Sequence, residues 1–153
     1  MWQALPACCE RPAMLRDLLS SDGIDVLERT VQFAAQRHAF IAGNIANIST
    51  PNFQPVDVNP RKFQALLADA IRRREVTGGP LQPSDSRDIS FTPSGLTLRP
   101  TPTQDGLLLH DRNDRDLERL MQDLAENLLV HRQATELLRN RYSLLETAIR
   151  DRL

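Results

Sequence analysis

Residues 43–55 read GNIANISTPNFQP, and the fold turns on how this stretch ends a helix. Ile41, Ile45 and Ile48 arrive at four- and three-residue steps, the spacing of one helical face. Pro51 then forbids the helix from continuing and biases Thr50 toward extended backbone. Asn44 and Asn47 stand three apart on the last turns, so they share a face. Their amides can bond backbone groups of a turning chain or of a neighbouring one. The stretch reads as a joint rather than as a site of chemistry.

Working outward, the helix that feeds this joint begins near Asp22, where Ser20, Ser21 and Asp22 offer capping oxygens. Ile24, Leu27, Val31, Ala34, Ile41, Ile45 and Ile48 alternate by three and four, with His38 in the remaining slot. That is a coiled-coil seam. The C-terminal region from about 114 to 153 repeats the pattern through Leu117, Met121, Leu124, Leu128, His131, Thr135, Leu138, Tyr142, Leu145 and Ile149. The two helices span roughly 40 Å and roughly 55–60 Å. The expected fold is therefore all-α: two long terminal helices in an antiparallel coiled-coil hairpin, with a Pro/Gly-rich, largely irregular middle. A register pairing Ile45 with Leu124, Ile41 with Leu128, Val31 with Leu138 and Leu27 with Tyr142 matches the two seams and brings His38 to His131.

The middle, residues 49–113, holds most of the prolines and glycines. Asn59-Pro60 caps a short amphipathic helix over 60–74 through Phe63, Leu66, Leu67, Ala70 and Ile71. ISF (89–91) and LTL (96–98) suggest a weak hairpin around Thr92-Pro93-Ser94-Gly95. The rest of 78–112 is expected to be mobile until the chain meets its partners.

Each long helix carries a second apolar stripe. Val26, Phe33 and Phe40 recur every seven residues on the first; Val130, Leu137 and Leu144 do so on the last. Helices apolar on more than one stripe are buried among several neighbours. These residues are accordingly expected to form an interface with other subunits.

Composition narrows the function. The 153 residues are 41% hydrophobic and 25% charged, but only 5% aromatic. Few large rings suit long helices better than a compact mixed core. A net charge of −1 gives no electrostatic reason to expect nucleic acid. No apolar run reaches the ~20 residues of a membrane span, and the N-terminus lacks the pattern of a cleaved signal peptide. Cys8 and Cys9 are adjacent and form neither a disulfide framework nor a metal spacing. His38, His110 and His131 have no nucleophile or carboxylate pair nearby in sequence, and there is no Gly-rich phosphate loop. No catalytic residue, cofactor or metal is expected.

The joint and the C-terminus together resemble the axial proteins of the bacterial flagellum. Asn44-Ile45-Ala46-Asn47 followed by Thr50-Pro51-Asn52-Phe53 is similar to the Asn-(Ile/Leu)-Ala-Asn and Thr-Pro-Gly-Tyr segments that close the N-terminal helix of rod and hook subunits. LMQDLAENLLVHRQATELLRNRYSLLETAI (120–149) resembles the closing helix of the proximal-rod FlgB family, with Asp116, Asn127 and Leu145-Glu146-Thr147-Ala148-Ile149 at the characteristic places. Asn52 replaces the usual Gly, and Asn is the next-best residue for a left-handed backbone. Met14-Leu15-Arg16-Asp17-Leu18-Leu19 resembles the family's usual start, which makes residues 1–13 an extension or the product of a misplaced start site.

The resemblance implies a structural subunit of the basal-body rod. Its partners would be other rod subunits, as homo- and hetero-oligomer, and the MS-ring or export-gate end of the basal body. Export would run through the flagellar type III apparatus without a cleaved signal peptide. A cytosolic coiled-coil adaptor or export chaperone is the alternative that the heptads alone allow.

Overall fold

The computed structural model describes residues 22–78, 80–92, 95–102 and 117–150. The extension 1–13, the Met14 start, both cysteines and the segment 103–116 lie outside the described residues. In chain order the elements are α1 (Asp22–Ala46), β1 (Val56–Asp57), α2 (Pro60–Thr77), β2 (Ile89–Thr92), β3 (Gly95–Leu98), β4 (Thr101–Pro102) and α3 (Leu117–Arg150).

The two long helices run antiparallel. Arg37 meets Asp123, Asn127 meets Ala34, and Tyr142 meets Glu28, so numbers rise on one helix as they fall on the other. The buried face of α3 differs from its expected seam. Asn127 and Ala134 are its buried residues, whereas Leu124, Leu138 and Leu145 are half-buried and Met121, Leu128, Tyr142 and Ile149 are exposed. The helix is thus rotated toward the Asn127–Ala134 side. A small alanine and one amide let α3 approach Ala34, which is itself fully buried. His38 is exposed and His131 half-buried.

The middle segment corrects the all-α expectation. It is neither wholly helical nor largely irregular. Two small antiparallel sheets form, β1 with β4 and β2 with β3. In the hairpin Ile89 lies opposite Leu98 and Phe91 opposite Leu96, the strands foreseen from ISF and LTL. Helix α2 starts where expected: Asn59 accepts from the Arg61 amide at 2.9 Å and Pro60 follows at the first turn. It continues one residue short of Gly78, whose left-handed backbone (φ 69°) lets its N–H donate to the Arg74 carbonyl at 2.7 Å and close the helix.

These pieces pack onto α1. The core is Phe33, Val58, Phe63, Leu67, Ile89, Leu96 and Leu98, with Val26, Phe40 and Phe91 against it. Phe33 and Phe63 stack with centroids 4.2 Å apart and planes 9° from parallel. The second stripe of α1, expected to face other subunits, is therefore covered by the chain's own middle. Phe33 is only 4% exposed. The expectation failed because a middle read as irregular offered nothing to cover the stripe. On α3 the corresponding stripe remains open, with Leu137 54% and Leu144 57% exposed.

Candidate functional site

The joint after α1 is built from side-chain amides. The Asn47 amide nitrogen donates back to the Gly43 carbonyl at 2.8 Å, and its backbone N–H reaches the same oxygen at 3.1 Å. Both satisfy a carbonyl that the ending helix leaves open. Pro51 and Asn52 then take the centre of a turn in which the Phe53 N–H donates to the Thr50 carbonyl at 3.3 Å. Asn52 has φ 61°, the left-handed conformation that an asparagine tolerates better than other non-glycine residues. Thr50, Pro51 and Asn52 are exposed, as are Ala46 and Asn47; Ile45 and Phe53 are half-buried.

The turned chain is then clamped. Asn44, 3% exposed, donates to the Val56 carbonyl at 2.8 Å and accepts from the Val56 N–H at 3.1 Å. Its carboxamide thus satisfies both backbone groups of one residue. Two turns earlier, Gln36 holds β3 in a similar way: it donates to the Leu96 carbonyl and accepts from the Leu98 N–H. The opposite edge of the hairpin is closed by Asp85 and Ser86, which accept from the Phe91 and Ile89 amides.

Arg37 sits where three elements meet. Its guanidinium donates to the Asp57 carboxylate through Nε at 3.0 Å and Nη2 at 2.7 Å, and lies 3.5 Å from Asp123 on α3. Asp57 also accepts from the Val58 N–H at 2.7 Å. Burial alone acts to lower the Arg37 pKa, but the hydrogen bonds and charge of Asp57, joined by Asp123, outweigh it and hold it above its ordinary value. The group stays charged at every physiological pH. Across the helix pair, Asn127 donates to the Ala34 carbonyl at 2.8 Å from a site 4% exposed.

Among the described residues no group of three or more His, Cys, Asp or Glu could hold a metal. The cleft beside Glu118, Arg119, Gln122, Asp123 and Glu126 is a shallow polar surface. No described helix is long and apolar enough to cross a membrane. The joint's hydrogen bonds connect the start of the middle segment to the end of α1.

No family model matches the chain. Two curated proteins do align with it over most of their length. The flagellar basal body rod protein FlgB of Bacillus subtilis is 27% identical over 131 residues, 86% of this chain and 95% of that protein. The FlgB of Borrelia hermsii is 29% identical over 112 residues, 71% and 81% respectively. The chain is similar over most of its length to FlgB flagellar basal-body rod proteins.

In this FlgB-like chain the structure brings together Asn44, Asn47, Thr50, Asn52 and Asn127 as backbone-binding or turn-forming residues around α1. The seam residues Leu27, Val31 and Ile41 lie on the inner part of α1, with Ile41 1% exposed. Gln36, Arg37 and Asp57 were not foreseen. The only sequence signal for them was negative: an amphipathic helix rarely places Gln-Arg between two apolar stripes unless both heads find partners.

Proposed function

We propose that this chain is a structural subunit of the proximal flagellar rod, polymerising through its terminal helices with further copies and with other rod subunits. A structural role in the rod, rather than an enzymatic one, is supported by the similarity to FlgB rod proteins. The observation that supports polymerisation is the surface of α3. Leu129, Val130, Leu137, Leu144 and Ile149 stand exposed on a helix that, among the described residues, packs against α1. A soluble monomer rarely leaves so long an apolar surface without a partner. The hairpin edges are both closed by the chain's own side chains, which disfavours growth by strand addition and leaves helix faces as the means of assembly. The MS-ring or export-gate end of the basal body and the type III export apparatus remain the partners that this role implies.

Deleting the gene in its own host and resupplying it tests the reading. Swimming should be lost and then restored, with the chain recovered in purified basal bodies. The double variant Asn47→Ala with Leu124→Asp should be expressed yet fail to restore swimming. Normal swimming after deletion would contradict the proposal.

A further inference from the structure

One buried guanidinium on α1 meets carboxylates from two other elements, Asp57 of β1 and Asp123 of α3. The Arg37 side chain is 6% exposed, and both carboxylates are partly open to water. Asp57 takes the fork through Nε and Nη2, while Asp123 lies 3.5 Å from Nη2. The two acids therefore share one cation.

Strand β1 has little else to hold it. It is two residues long, and so is its partner β4. Asn44 binds the backbone of Val56, and the Asp57 oxygen that accepts from Arg37 Nε also accepts from the Val58 N–H. The seat of the middle segment on α1 is thus largely polar at this point.

The third element supplies the cover. Asp123 and Asn127 stand four apart on one face of α3, and Asn127 donates to the carbonyl of Ala34, three residues before Arg37. While α3 is seated, pulling Asp57 away leaves a cation in a site that water scarcely reaches, which is strongly unfavourable. Once α3 lifts, water solvates the guanidinium and screens the pair, and opening it becomes easy.

We propose that α3 controls the hold on the middle segment through Arg37: seated, it locks the Arg37–Asp57 pair; lifted, it lets β1 loosen from α1. An event at the helix pair is thereby transmitted to the segment packed on its other side. This goes beyond the rod-subunit reading and does not depend on it.

Hydrogen exchange on the full chain tests the proposal, with the Leu67 amide inside α2 as the internal reference. Asn127→Ala removes the bond to Ala34, and Ala134→Glu places a charge in the buried helix contact. Each should free the amides of 127–134 and speed exchange at Val58 by about fivefold or more relative to Leu67. Asp57→Asn keeps an oxygen for the Val58 N–H but removes the charge, so in that background neither variant should speed Val58 further. Asp123→Asn leaves the cover in place and removes an anion that competes with Asp57. It should leave Val58 as protected as before, or more so. Val58 unchanged when α3 is freed, an equal rise at Leu67, or the same rise in the Asp57→Asn background each overturns the inference, as does faster Val58 exchange in Asp123→Asn alone. None of these results touches the rod reading, which stands or falls on swimming and on recovery in basal bodies.

Discussion

The carboxamide of Asn44 stands in for a neighbouring strand, offering Val56 one donor and one acceptor at 2.8 and 3.1 Å. Because the pair is buried, its loss is costly. Asn44→Ala leaves both Val56 groups without partners and should destabilise the chain by about 1–3 kcal/mol in urea titration. Asn44→Asp should be at least as damaging, since a carboxylate oxygen would then face the Val56 carbonyl. Asn44, Asn47 and Asn52 were legible in the sequence because their duties are local: all act within a dozen residues of one another. Arg37 was not legible. Its partners Asp57 and Asp123 lie 20 and 86 residues away in sequence, and only the fold makes a buried guanidinium affordable. A second residue-scale test uses Tyr142, the only tyrosine of the chain. Its bond to the Glu28 carboxylate, and that carboxylate's charge, raise its pKa above the ordinary 10.0. The stability this contact contributes is complete below the ordinary phenol pKa and is lost as pH rises through the elevated one. Ultraviolet difference titration should show the phenol ionising later than in Glu28→Gln; coincident curves would remove the contact.

At the scale of elements, periodicity revealed the helices and missed what covers them. Phe63, Leu67 and Ala70 could be read as the apolar face of α2, since 18 residues give that pattern room to repeat. Strands of two to four residues give it none, so Ile89, Leu96 and Leu98 did not announce themselves as core, nor did Val58 between β1 and α2. Without them the Val26–Phe33–Phe40 stripe was assigned to other subunits. The same shortfall misplaced the buried face of α3: leucines marked the seam, but Ala134 and Asn127 permit the closer approach. Phe63→Ala removes the ring stacked on Phe33 and should cost about 3–5 kcal/mol. Limited proteolysis of that variant should cut between 60 and 102 well before α1, whereas uniform resistance would mean the middle does not depend on this stack.

For the whole molecule, the described packing is uneven along the helix pair. The middle segment and α1 share a core, tied by Asn44 and Arg37, and Arg37 and Asn127 link the N-terminal half of α3 to α1. Beyond Ala134, α3 has no further buried residue among those described; Leu138 and Leu145 are half-buried and Leu137 and Leu144 exposed. The account's central claim is that this half-helix is completed only by neighbouring chains. Hydrogen exchange on the isolated full-length monomer tests it most directly. Amides of residues 136–150 should exchange far faster than those flanking Phe33 and Phe63, and should become protected in the assembled rod. Equal protection of 136–150 and the Phe33–Phe63 core in the monomer would contradict the claim.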